Sequence, residues 1–260
     1  MLKLFIFNVL TILIIVALLW VVKRTVKSEK GQNAVLIAAS LTTVLLHYSM
    51  LFYHCFRDTG MNYLKETPNL ILPIYPCNLV MWSAVIFGLC RDKRSGVGAF
   101  LADYVFWFGI ISTLVGMFAN VDFIMNPTLA DFNVTKSILA HATLLFNVLL
   151  LPMFKLVKID VARNMRSILL SILMMLFTGL YCNLLFSVLV SWDAAYDVNS
   201  MFLIHSPFEA VDFLTYPVIA LIAIPLYFGL FAVCDIIAHK KGERFYDKLF
   251  CCFRKMRERK

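Results

Sequence analysis

Seven long apolar runs separated by short polar stretches divide the chain, near residues 4–22, 34–56, 70–90, 98–118, 137–157, 167–190 and 214–238. Each is about 20 residues, the length of a helix that crosses a ~30 Å hydrocarbon core. The pattern predicts an all-α polytopic membrane protein, a bundle of seven transmembrane helices over residues 1–238, with a short tail at 239–260. The first run is longer than a signal-peptide core. Lys23-Arg24 follows it in place of a small-x-small cleavage site, so it reads as a retained span.

The polar connections alternate in charge. Residues 23–33, 91–97, 155–166 and 239–260 carry 20 of the 24 Lys and Arg residues. All four stretches fall on one side of the predicted bundle. By the positive-inside rule the N-terminus is then outside and the C-terminus cytoplasmic. The loop at 191–213 has no Lys or Arg but holds Asp193, Asp197, Glu209 and Asp212 among Trp192, Tyr196, Phe202 and Phe208. It reads either as interfacial aromatics with solvated acids or as a lid over an outward-facing site.

Composition agrees with this pattern: 61% of residues are hydrophobic and 15% charged, with a mean hydropathy of +0.82. The net charge of +8 follows from topology, so no nucleic-acid partner is expected. None of the seven cysteines falls in the three loops assigned to the outer side, and no disulfide is expected. The basic, aromatic tail is expected to lie on the anionic inner leaflet. Cys251-Cys252 within it reads as an ordinary cysteine pair or, in a eukaryote, an acylation site.

The third run departs from the others. It reads Asn69-Leu-Ile-Leu-Pro-Ile-Tyr-Pro-Cys-Asn-Leu-Val-Met-Trp-Ser83, with Pro73 and Pro76 in its first third. Each proline lacks a backbone N–H and clashes with the carbonyl four residues earlier. Lipid cannot satisfy backbone groups freed in this way, so such a break has to be buried in protein or line a cavity. A helix restarting with Pro76 at its first position puts Cys77 and Asn78 in the first turn. The partial positive charge of that helix end favours a thiolate.

Depths follow from the helical rise. Counted from the expected outer surface, Cys77 lies roughly 10 Å in, His141 roughly 6 Å and His47 roughly 13 Å. His54 lies on the same face as His47, near the surface, and Asn183 falls in the outer half. Polar or reactive groups on four helices thus share one slab, where ionisable side chains are costly and tend to mark function. The chemistry suggested is nucleophilic: Cys77 attacks an ester carbonyl, His141 moves the proton, and Asn78 with first-turn N–H groups holds the oxyanion. A buried structural cysteine, histidines bonded between helices and a merely kinked span are the plainer readings. His47 and His54 are about 10 Å apart along one helix axis, too far to share an ion, so neither a metal site nor a cofactor is expected. Asp103 reads as a proton or substrate site of a transporter or as a helix–helix hydrogen bond. Asp235 is placed to pair with Lys240 or Lys241, or to reach water. Ser112 and Gly116 read as small residues that permit close helix packing.

Leu72-Pro-Ile-Tyr-Pro-Cys-Asn-Leu79 resembles the Leu-Pro-Leu-His-Leu-Cys-Asn/Asp-Leu stretch of the YwaF-like integral membrane proteins, whose eukaryotic relatives are the transmembrane protein 164 group. Ser137 to His141 is similar to that family's Ser/His helix. Asn199-Ser-Met-Phe-Leu203 with Pro207 is similar to its Asn-Tyr-Met-x-Leu…Pro loop. The resemblance covers roughly residues 35–235. It implies acyl transfer to lysophospholipids, with Cys77 as nucleophile and His141 as its partner. Tyr75 stands where the family usually has histidine, and His47 is the imidazole available in its place. Ser200 stands where the family usually has tyrosine. The compact chain looks more like the bacterial branch, which implies a bacterial-type cell membrane.

The leading expectation is a Cys77/His141 site in the outer leaflet acting on a phospholipid or other lipid ester. Asn78, Tyr75, His47, Asn183 and Asn199 are its supporting or substrate-binding residues. A transporter or small-molecule-binding subunit using the broken third helix, and a non-catalytic scaffold, are the alternatives.

Overall fold

Backbone polar groups in lipid have to be paired within their own segment, and the computed structural model is accordingly built of helices. It describes residues 2–57, 67–118, 128–206 and 211–248, with side chains of 54–57 left aside. Pro207, Phe208, Glu209, Cys251-Cys252 and the side chain of His54 therefore lie outside the described residues. No strand occurs among the described residues. The helices are α1 (Leu2–Thr25), α2 (Glu29–Arg57), α3 (Pro76–Leu89), α4 (Gly96–Phe118), α5 (Phe132–Met153), α6 (Val161–Leu189), α7 (Trp192–Val198) and α8 (Tyr216–Ala238). Single 3₁₀ turns occupy Pro68–Leu70 and Ser200–Phe202.

Six of these helices are long and apolar enough to cross a membrane, and the protein is an integral, multi-pass membrane protein. The third apolar run is different. Only α3, with 14 residues, is α-helical there, and it spans about 21 Å. The rest of that run is the Pro68–Leu70 turn and an irregular stretch to Tyr75.

The bundle is centred on α5, the most deeply buried of the six long helices, which packs on α1, α2, α3 and α4. Its polar positions are paired across helices, as the lack of water requires. Asn147 Nδ2 donates to Ser40 Oγ at 2.5 Å, and Thr43 Oγ1 donates to Thr143 Oγ1 at 3.0 Å. On the α4 side, Asn8 Nδ2 of α1 donates to the Met117 carbonyl at 2.6 Å. Close approach of α4 and α5 depends on Gly109, where a Cβ would fall 2.5 Å from Val148 Cγ2. By contrast α1 and α8 leave most of their apolar surface outward, as lipid-facing helices do.

The second half of the chain joins through α6, which packs on α4, α7, α8 and the turn at Ser200–Phe202. Here Asp103 of α4 is 1% exposed and receives two hydrogen bonds from Arg163, Nε to Oδ2 at 2.9 Å and Nη2 to Oδ1 at 3.0 Å. Ser167 Oγ donates to the same carboxylate at 3.0 Å. Of its two readings, the helix–helix bond is the one present. Asp235 pairs with neither Lys240 nor Lys241, and it does not reach water: it is 3% exposed. Its Oδ2 accepts from the Phe245 amide at 2.8 Å, and Oδ1 lies 3.0 Å from His239 Nδ1. That capture folds the start of the tail back, and Phe245 packs beside Phe228 of α8.

Candidate functional site

The irregular stretch before α3 is held by partners far away in the chain. Ile74 is 1% exposed, and Pro76, with no N–H to donate, cannot continue a helix back through it. Its carbonyl accepts from the Met201 amide at 2.8 Å and from Ser200 Oγ at 3.2 Å. Nearer the surface, His47 Nε2 lies 3.0 Å from the Asn69 carbonyl. At that distance Nε2 carries the proton and donates, which ties the broken segment to α2. Asn78 Nδ2 sits 3.4 Å from the same nitrogen. One nitrogen cannot donate to Asn69 and accept from Asn78 at once, so while Nε2 donates to Asn69 it offers the Asn78 N–H no lone pair.

Pro76 is the first residue of α3, and Cys77 and Asn78 follow in its first turn, as the position of the prolines predicts. Asn78 Oδ1 accepts from the Tyr75 amide at 3.3 Å, closing the helix start with a side chain. Helix starts leave several N–H groups without intrahelical partners. Of those here, the Cys77 amide has no backbone partner among the described residues.

Cys77, Asn78, His47 and His141 all line one small cavity of about 30 Å³, with Thr43, Met81, Ala140 and Leu144 completing the wall. Three helices supply them: α2, α3 and α5. A volume of that order holds a water molecule or a carbonyl group and excludes an acyl chain. His141 is oriented from its own helix: Nδ1 lies 2.8 Å from the Ser137 carbonyl and therefore carries the proton. The lone pair is left on Nε2. That side of the ring rests against α4, where a Cβ on Gly116 would come within 2.2 Å of Nε2. Gly116 thus permits the close packing expected of it, and the neighbour it admits is the imidazole.

Tyr75, Asn183 and Asn199 are elsewhere. Tyr75 is 37% exposed, its ring 6.2 Å from that of Phe202. Asn183 of α6 receives the Ser200 amide on Oδ1 at 2.8 Å and donates from Nδ2 to the Ser200 carbonyl at 3.3 Å. Asn199 ends α7 in the left-handed region at φ 45°, and its Oδ1 accepts from the Ile204 amide at 2.9 Å. These two asparagines fold residues 199–206 into a strap that closes over the break, and neither lines the cavity. Lys136 is buried at 7% exposure in the second turn of α5.

Thr43, Met81, Ala140, Leu144 and Gly116 were not singled out as site residues by the sequence. Thr43 carried a usable signal, being one turn from His47 on the same face. The others are small or apolar residues in apolar helices, with no local mark.

The donor set, a thiol, two imidazoles and a primary amide, suits proton transfer and nucleophilic attack. A model of the TMEM164 family matches residues 2–235. No curated protein and no solved structure matches the chain. The chain belongs to the TMEM164 family.

Proposed function

We propose that this TMEM164-family protein crosses the membrane seven times, α3 and the segment before it making the third crossing, with the N-terminus outside. Its Cys77/His141 pair cleaves or transfers a lipid acyl ester in the outer leaflet. The observation that carries the reading is one cavity wall shared by a first-turn cysteine and a histidine whose hydrogen bond leaves Nε2 basic.

In the first half-reaction His141 Nε2 takes the Cys77 thiol proton and the sulfur attacks the ester carbonyl carbon. An S–C bond forms, the C–O bond to the glycerol oxygen breaks, and the imidazolium returns its proton to that oxygen. In the second, Nε2 takes a proton from a lysolipid hydroxyl or from water. The oxygen attacks the thioester, the C–S bond breaks and the thiol is restored. The Cys77 amide, which has no backbone partner among the described residues, and the Asn78 side chain serve as the donors to the oxyanion. The cavity admits the reacting carbonyl alone, so the chains of the lipid stay outside it, in the bilayer.

Protein reconstituted in lipid vesicles and supplied with an acyl-labelled phospholipid should release or transfer label. Cys77→Ala and His141→Ala should each lower that rate by about 10²-fold or more. Full activity in both variants overturns the reading. The transporter alternative gains nothing from Asp103, whose carboxylate is committed to Arg163 and Ser167.

A further inference from the structure

A second cavity, about 400 Å³, opens at the other end of α3, between the first turns of α2 and the 90–95 connection. Its size is that of a small-molecule site. Its floor is apolar, with Leu36 and Leu156 buried, and Leu89 beside it is 70% exposed. Its walls carry three cations, Arg91, Lys93 and Arg94, against two carboxylates, Glu29 and Asp92.

The two carboxylates are largely spent. Asp92 turns back into its own loop, accepting from the Ser95 hydroxyl and from the Arg94 and Ser95 amides. The Ser95 hydroxyl first, then the Arg94 amide, hold its carboxyl below the usual range. Glu29 faces Arg94 at 3.7 Å across exposed side chains.

The cations are differently placed. Lys93 is a fixed charge: Nζ donates to the Gly88 and Cys90 carbonyls at 3.0 and 2.7 Å and lies 5.5 Å from the Phe87 ring centre. An ammonium has three N–H groups, so one remains. Arg91 makes no hydrogen bond or ion pair among the described residues. Asn33, also on the wall, holds Oδ1 out of solvent with no hydrogen-bond partner among the described residues. A buried acceptor left unpaired is costly, and a ligand that brings its own donor relieves it.

We propose that this cavity binds a monoanionic phosphodiester that carries a hydroxyl group, of the kind found on glycerol-type lipid headgroups. The net charge of the wall is +1, which one phosphodiester neutralises. Arg91 and the third N–H of Lys93 meet the phosphate oxygens, and Asn33 Oδ1 accepts from the hydroxyl. Leu89 borders the opening, where acyl chains of a lipid ligand would leave toward the bilayer. A soluble glycerophosphodiester offers the same headgroup chemistry without the chains.

The test is native mass spectrometry of the full chain in detergent, titrated with phosphatidylglycerol, phosphatidylethanol, phosphatidylcholine and diacylglycerol. Phosphatidylglycerol should bind about 10-fold more tightly than phosphatidylcholine or diacylglycerol. Its margin over phosphatidylethanol, which has the charge and lacks the hydroxyl, should vanish in Asn33→Leu. Arg91→Glu, an exposed change that leaves the fold intact, should weaken phosphatidylglycerol by about 10-fold. Competition by soluble glycerophosphoglycerol at equal concentration assigns a soluble ligand; its absence assigns the lipid. Equal binding of all four lipids by the unaltered protein, or unchanged affinity in both variants, overturns the proposal.

Discussion

At the scale of single residues, the candidate site depends on what lies behind the imidazole. Ser137 holds one nitrogen of His141, and Gly116 leaves room for the other edge of the ring. An added methyl at 116 would sit 2.2 Å from Nε2, far inside contact distance, so the ring has to turn or α4 and α5 have to part. Overpacking of this kind costs about 1–3 kcal/mol. Gly116→Ala should therefore lower the melting temperature in detergent and reduce acyl release together. Gly229→Ala is the matched control, since a Cβ there meets nothing within 4 Å. It should leave activity intact and stability unchanged or raised, because alanine outranks glycine in a helix by about 1 kcal/mol. An equal loss in both variants would show that the contact with His141 has no special weight. Small residues in a span advertise close packing; which side chain they admit is written only in three dimensions.

At the scale of elements, the break before α3 and the strap at 199–206 form one unit. The break was legible because proline acts through local sterics: Pro73 and Pro76 announce it, and Pro76 opens α3 where the sequence places it. The strap was not legible as structure. Its chain reverses through Asn199, Met201 and Phe202, all at positive φ and none of them glycine. Asparagine tolerates that region, but methionine and phenylalanine give no warning of it. Such a backbone persists only where surrounding bonds over-determine it. The Ile74 carbonyl holds one side, and the two-point grip of Asn183 on Ser200 holds the other. Asn183→Leu removes the acceptor of the Ser200 amide and one of the two donors to the Ser200 carbonyl, which keeps the Leu203 amide, and so leaves a buried amide unpaired, at about 1–3 kcal/mol. Hydrogen exchange should then rise at Ser200 and Met201 while α5 stays protected. Exchange unchanged at those two amides would mean that Ile74 alone suffices to hold the strap. Asn183 was read as a neighbour of the thiol from depth, and Asn199 from the family resemblance. Depth along a helix axis says nothing about azimuth, and Asn183 points to the strap.

At the scale of the whole molecule, the apolar runs foretold the helices closely, because a bilayer leaves few ways to pair a backbone. What they did not foretell is how the two halves of the chain lock together. Arg163 was counted among the basic residues of a connecting loop, yet α6 begins at Val161 and turns that guanidinium inward onto Asp103. The carboxylate is 1% exposed and the arginine side chain 27%, so the pair sits at the wall of the bundle with one member reaching outward. Removing the arginine alone strands a buried charge, whereas removing both partners strands nothing. Arg163→Met should cost about 3 kcal/mol, toward the low end for a buried pair because the arginine already reaches polar surroundings. Asp103→Leu should cost less, since a freed guanidinium can turn outward. The double variant should recover most of the loss, giving a coupling of about 1–3 kcal/mol by unfolding in mixed micelles. Additive losses would instead mean that each side chain is held by its other partner, Asp103 by Ser167 and Arg163 by the Ala99 carbonyl. In that case α4 and α6 would be joined by apolar packing around Trp107 and Ile168, with the ion pair a passenger on it.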